Sequence, residues 1–71
     1  MNKHIFTFGG GQPLWDKYAV IEASSPEIAR EKMFEVFGHE WSMQYTSKEF
    51  AQAKSEGFFL KIEPLSTIYA Q

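Results

Sequence analysis

The sequence predicts a small α+β domain, with a mostly antiparallel sheet and helices on one face of that sheet. The chain has 71 residues, which is enough for one domain spanning residues 1–71. Segments in which apolar residues alternate flank segments in which they recur at helical spacing. Aromatic residues make up 17% of the chain, so even a short chain can bury a large apolar area. The element order that follows is β-β-α-β-α-β.

Two strands are predicted at the start of the chain. The first covers residues 3–8 and places Phe6 and Phe8 on one face. The second covers residues 18–23. With helices on one face only, the opposite face stays exposed and becomes the expected interface of a homodimer or larger assembly. The residues expected on that exposed face are Ile5, Tyr18, Val20 and Phe59.

A helix is predicted from Pro26 to Phe37. Ser25 is a suitable N-cap, and Pro26 fits the first turn because the N–H that proline lacks has no partner there. Gly38 is the expected left-handed cap at the end of the helix. This helix can support a parallel crossover between the second and third strands. The residues expected to face the sheet are Ala29, Met33, Val36 and Phe37.

The second half of the chain predicts a strand, a short helix and another strand. Alternation over residues 41–46 indicates a half-buried strand with Trp41, Met43 and Tyr45 on one face. Thr46 and Glu49 have the spacing of a capping box, which predicts a helix over residues 47–56 with Phe50 and Ala53 inward and Gly57 as its stop. Alternation at Phe58, Leu60 and Ile62 predicts a fourth strand ended by Pro64, and residues 65–71 are expected to form a short edge strand or a frayed tail.

Composition narrows the functional classes. The net charge of −2 disfavours direct nucleic-acid binding, which needs clustered Lys and Arg. No apolar run has the length of a membrane span, so no membrane association and an intracellular location are expected. The chain has no Cys, so neither disulfides nor thiolate metal sites stabilise it, and its small size then favours self-association.

No constellation of catalytic groups is visible in the sequence. The only histidines are His4 and His39, and neither lies in a nucleophile motif. His39 and Glu40 are adjacent, which is poor spacing for a metal site. We therefore expect a protein that is not an enzyme and has no cofactor, with His39 as an ordinary polar residue after the helix.

The segment Gly9–Lys17 is the predicted binding site. It is longer than a tight hairpin needs, and its glycines allow backbone conformations and close approaches that other residues do not. Trp15 offers a large flat surface and Lys17 a cation. The alternatives are that the glycines form a plain connection and that Trp15 folds back onto the sheet edge. The predicted site residues are Gly9, Gly10, Gly11, Gln12, Trp15, Lys17 and Tyr18.

An acidic stripe competes with this loop as a contact surface. Glu27, Glu31 and Glu35 follow one another at four-residue spacing along one side of the predicted helix. The stripe is either a solvated helix face or a contact for a basic groove on a partner.

Several short motifs occur in order along the chain: Phe6-Thr7-Phe8-Gly9, Gln12-Pro13-Leu14, Tyr18, Ile21, Ala29-Arg30, Met33, Phe37-Gly38, Trp41 and Gln44-Tyr45. Their pattern resembles that of a family of very short proteins encoded by phages and prophages, chiefly of Gram-positive bacteria. The resemblance implies a phage accessory protein in the cytoplasm of a bacterial host cell, and such proteins often inhibit host immunity. The expected function is a counter-defence inhibitor that binds and blocks a host defence protein. The alternative is a sponge that sequesters a nucleotide second messenger at an oligomer interface.

Overall fold

The structure is a computed structural model of the chain, and it describes residues 2–57 and 62–70. Those residues form one mixed sheet and two α-helices, so the predicted α+β class is confirmed. The elements are β1 (Asn2–Thr7), β2 (Lys17–Ala23), α1 (Pro26–Phe37), β3 (Met43–Thr46), α2 (Ser47–Ser55), β4 (Glu63–Pro64) and β5 (Ile68–Tyr69).

The sheet has the strand order β3-β1-β2-β4, and β5 also pairs with β2. β1 is antiparallel to both of its neighbours, β2 and β3. β4 and β5 are both parallel to β2. The parallel pairs therefore do not join β2 to β3 across α1, as the sequence suggested, because β1 lies between those two strands.

The edge formed by β4 and β5 contains a bulge. Lys17 pairs with Glu63, whereas Ile21 pairs with Ile68, so the edge carries one residue more than β2 over this stretch. Pro64 also lacks the N–H that a further strand would need. A bulge and a proline both protect an edge from pairing with another chain. Phe58 and Leu60 of the predicted fourth strand lie outside the described residues, whereas its last member, Ile62, directly precedes β4, and the tail supplies β5.

The two helices cover opposite faces of the sheet. Phe6 and Ile21 pack in one buried cluster with Met33 of α1. Ile5 and Val20, their neighbours along the strands, pack in a second cluster with Phe50 of α2. Because successive strand residues point to opposite faces, the prediction of helices on one face is wrong.

The predicted subunit interface is also wrong, for the same reason. Ile5 is 5% exposed and Val20 is 9% exposed. The Tyr18 ring lies 4.7 Å from the Phe50 ring, under α2. Phe59 lies outside the described residues. Self-association stays a prediction, but this face does not support it.

The bounds of α1 agree with the prediction. Ser25 Oγ accepts a hydrogen bond from the Ile28 N–H at 3.2 Å, and Gly38 has a φ of 63°. Met33 and Ala29 are buried, and Phe37 packs half-buried against Phe8. Val36 is 46% exposed, contrary to the prediction. The buried line runs through positions 29, 33 and 37, and Val36 lies beside this line rather than on it.

The capping box of α2 is confirmed. The Glu49 N–H donates to Thr46 Oγ1 at 3.1 Å, and the Thr46 N–H donates to Glu49 Oε1 at 2.9 Å. Phe50 is buried as predicted, and Ala53 is half-buried. The helix ends at Ser55, and the following Gly57 has a φ of 89°.

The strand before α2 is shorter than predicted, because β3 begins only at Met43. Trp41, which precedes β3, packs its ring 5.0 Å from Phe6 on the face that α1 covers. Tyr45 packs with the cluster on the α2 face. The three alternating side chains at 41, 43 and 45 therefore do not share one face, as the sequence suggested.

Candidate functional site

The loop between β1 and β2 is a series of turns closed by its own hydrogen bonds. The Gln12 N–H donates to Gly9 O at 2.9 Å, and the Trp15 N–H donates to Gln12 O at 3.2 Å. The Lys17 N–H then donates to Leu14 O at 2.9 Å. Gln12 Oε1 also accepts from the Gly9 N–H. The predicted binding loop is therefore internally braced.

The folded loop does not require two of its three glycines. Among the described residues, only Gly38 and Gly57 have positive φ. A Cβ atom at Gly10 or Gly11 would meet nothing within 4 Å. The expectation that these glycines hold conformations closed to other residues is therefore wrong.

Gly10→Ala and Gly11→Ala are each expected to raise the free energy of unfolding by about 0.4–1 kcal/mol, because alanine reduces the freedom of the unfolded chain. Urea titration measures this change. Gly38→Ala is the matched control, since its φ of 63° disfavours any side chain, and it is expected to cost about 1–2 kcal/mol. Destabilisation by both loop variants would show that the loop needs glycine after all.

Trp15 extends into solvent from this braced loop, with 60% of its surface exposed. Leu14, its neighbour, packs against the core cluster instead. The alternative in which Trp15 folds onto the sheet is therefore excluded, and the side chain is free to contact a partner.

Lys17 and Tyr18 do not join Trp15 at the surface of the loop. Lys17 Nζ lies 3.0 Å from Glu63 Oε1 and 3.9 Å from Asp16 Oδ2. The hydrogen bond to Glu63, with the charges of both carboxylates, raises the pKa of Lys17. The ion pair of Lys17 with Glu63 thus connects the loop to β4. The Tyr18 ring packs on Phe50 instead of facing the loop.

The end of α1 and the start of β3 meet the loop at the same end of the sheet. The Phe37 ring lies 5.4 Å from the ring of Phe8, the residue before the glycines. The Ser42 N–H donates to Thr7 O at 2.7 Å. Trp41 Nε1 donates to Gly38 O at 3.2 Å, which ties the segment after α1 to the end of the helix.

Among the described residues, most of the exposed large apolar side chains lie at this end. Trp15 belongs to the loop, Phe34 and Val36 to the last turn of α1, and Met43 to the first position of β3. Their exposures are 60%, 42%, 46% and 53%. We call these four residues the loop end. Tyr69, the fifth exposed large apolar residue of the described ranges, belongs to β5.

Sequence reasoning missed Phe34 and Met43. Phe34 is a large apolar residue that does not lie on the buried line of α1. An apolar residue off that line was the signal in the sequence that could have identified it as exposed. Its ring lies 5.4 Å from Trp41 and 5.0 Å from His39, so His39 sits in an aromatic group beside the helix end.

The acidic stripe of α1 is solvated and partly neutralised. Glu27, Glu31 and Glu35 are all exposed. Lys32 Nζ lies 2.9 Å from Glu35 Oε2. Glu31, Lys32 and Glu35 line a cavity of 390 Å³ together with Tyr69 of β5. The stripe therefore presents less negative charge than its sequence suggests.

Across residues 2–57 and 62–70, no three His, Asp or Glu side chains are grouped so that they could hold a metal ion. Neither helix in these ranges has the length and hydropathy of a membrane span. Comparisons with protein-family models, with curated proteins and with solved structures gave no match to this chain.

Proposed function

We propose that this chain is a non-enzymatic binding domain, that the loop end contacts a partner protein, and that binding inhibits a host immunity protein. The observation that carries the proposal is the 60% exposure of Trp15 on a loop braced by its own hydrogen bonds. Tryptophan is the residue type most enriched among the side chains that dominate binding energies.

The other members of the loop end support a protein as the partner. Phe34 and Val36 add apolar surface from α1, and Met43 adds it from β3 on the side of the sheet that faces α2. Aromatic residues and Met are enriched at protein interfaces, and charged residues are depleted in their centres. Because the loop is already folded, little ordering entropy is lost when a partner binds.

Gly10 and Gly11 fit the same function. The folded loop has no steric or conformational need of them. Without a Cβ atom, they expose the backbone N–H and C=O groups to a partner that approaches closely. Glycine at these positions is expected to make the protein less stable than alanine would, which is consistent with selection for binding.

The class of partner comes from the resemblance to short phage proteins. Small phage proteins of this kind often bind either a host immune protein or a nucleotide signal, and the exposed apolar side chains favour a host defence protein as the target. The test therefore begins with the proteins of an infected bacterial host.

Trp15→Ala is expected to weaken binding of the partner by roughly 30-fold or more, since truncating a hot-spot side chain costs about 2 kcal/mol or more. The full chain captures proteins from the host lysate, and calorimetry then gives the Kd of each captured protein for each variant. Trp15→Ala must first show the melting temperature of the unchanged protein.

Tyr69→Ala is the matched control, because Tyr69 is an aromatic residue of similar exposure, 66%, away from the loop end. It is expected to change the Kd less than about threefold. A third variant replaces Glu27, Glu31 and Glu35 with Gln. If the partner is lost with the third variant and kept with Trp15→Ala, the proposed site is wrong and the contact lies on α1.

A further inference from the structure

A corner that contains two cavities lies at the end of the sheet opposite the loop end, where both helices begin. Pro26 opens α1 there, and Thr46 caps α2. His4 of β1 pairs with Thr46 in the sheet. Two cavities, of 350 and 230 Å³, lie in this corner, and His4, Pro26 and Thr46 line both.

His4 is the unusual residue of this corner. It is only 4% exposed, and its Nε2 atom is buried with no hydrogen-bond partner among the described residues. A buried polar atom without a partner destabilises the fold. A partner from outside the chain, such as a water or an ion, is one explanation for such an atom. Because His4 lines both cavities, a ligand in them can supply that partner.

The charge of the corner is opposite to that of the chain. Arg30 lines the smaller cavity together with Glu49, whereas Lys3 and Lys48 line the larger cavity, which has no carboxylate among its lining residues. The net charge of the whole chain is −2. Glu49 Oε1 already accepts from the Thr46 N–H in the capping box.

These three cations have no anionic partner in the described part of the chain. The ion pairs there involve Lys17 and Lys32 instead. Local excess positive charge of this kind attracts anions to a concave site.

Arg30 is held in place by hydrogen bonds to a neutral group. Its Nε and Nη2 atoms donate to Gln44 Oε1 at 3.1 and 2.9 Å. Gln44 Nε2 in turn donates to Pro26 O at 3.1 Å. This bridge between β3 and α1 fixes the guanidinium group and leaves Nη1 available as a donor.

The first turn of α2 adds backbone donors. Thr46 Oγ1 satisfies the Glu49 N–H at 3.1 Å. The N–H groups of Ser47 and Lys48 have no acceptor within the helix, as is general for a first turn. These groups and the helix dipole favour an anion.

We propose that the corner lined by His4, Arg30 and Lys48 binds a phosphate group, as the free anion or within a phosphate ester such as a nucleotide. The donors come from three elements: Arg30 of α1 lines the smaller cavity, Lys48 of α2 lines the larger one, and His4 of β1 lines both. A tetrahedral oxyanion with several acceptor oxygens matches such a set better than a planar carboxylate. Nε2 of His4, as an N–H, donates to one of those oxygens. The site is separate from the loop end and does not depend on the proposed function.

Titration with inorganic phosphate, followed by nitrogen NMR of the His4 imidazole and of the Ser47 and Lys48 amides, tests the proposal. Sodium chloride at matched ionic strength is the reference. A saturable shift at all three positions is expected with phosphate and not with chloride. Absence of a saturable shift at His4 would overturn the proposal.

Lys48→Gln, at an exposed position of α2, is expected to weaken phosphate binding about tenfold through the loss of one charge-assisted contact. Lys54→Gln is the matched control: it makes the same charge change in the last turn of the same helix, away from the cavities. Equal weakening by both variants would show screening of the overall charge and would reject a built site.

Adenosine monophosphate and adenosine distinguish the two sources of the phosphate group. Tighter binding of the monophosphate than of inorganic phosphate, with no shift from adenosine, identifies a phosphate ester as the ligand. Equal or tighter binding of inorganic phosphate identifies the free anion. Shifts from adenosine that equal those from the monophosphate would contradict phosphate recognition.

Discussion

Phe6→Ala is expected to leave much of the protein unfolded at room temperature. Phe6 is 0% exposed, and its ring packs edge-on against Trp41 with centroids 5.0 Å apart. Truncation of a buried Phe costs about 3–5 kcal/mol, through lost transfer free energy and the cavity that remains. Native domains have only about 5–15 kcal/mol of stability, and a chain this short belongs at the low end of that range.

Urea titration followed by circular dichroism measures this loss. Phe34→Ala is the matched control, since it removes the same side chain from a position that is 42% exposed. Its cost is expected to be about 1 kcal/mol, mostly from the aromatic contact with Trp41. Equal midpoints for the Phe6 variant and the unchanged protein would mean that the α1-facing cluster is not the main core.

Elements with local signals were predictable from the sequence. Ser25, Pro26 and Gly38 set both ends of α1, because capping depends on neighbouring residues alone. The capping box of Thr46 and Glu49 fixed the start of α2 for the same reason.

The face of the sheet that α2 covers was harder to predict, although the sequence contained a pattern that indicated it. Ile5 and Phe6 are adjacent apolar residues in β1, and Val20 and Ile21 are adjacent in β2. Adjacent strand residues point to opposite faces, so such pairs indicate a sheet that is covered on both faces. The sequence prediction assigned helices to one apolar face of the sheet only and treated the opposite face as exposed.

The candidate sites depend on contacts between distant segments, and these limited what the sequence could predict. Loop length and composition located the segment that presents Trp15. The ion pair of Lys17 and Glu63 joins residues 46 positions apart. The corner around His4 similarly requires β1, α1 and α2 to converge, which no local pattern encodes.

Phe50→Ala is expected to release α2 from the sheet and expose the second apolar face. Phe50 is 7% exposed and packs on Ile5 and Val20. Its loss is expected to cost about 3 kcal/mol or more, as is usual for truncation of a buried Phe. The newly exposed apolar face favours self-association, which light scattering detects as mass that rises with concentration.

Methyl NMR assigns the effect of this variant to one face of the sheet. The methyl signals of Ile5 and Val20 are expected to shift, because α2 covers them, whereas those of Ile21 and Met33 on the α1 face stay in place. Gln52→Ala, at an exposed position of the same helix, is the matched control and leaves all four residues unchanged. Shifts at Ile21 and Met33 without shifts at Ile5 and Val20 would contradict the two-sided arrangement, since they would require α2 to pack on the same face as α1.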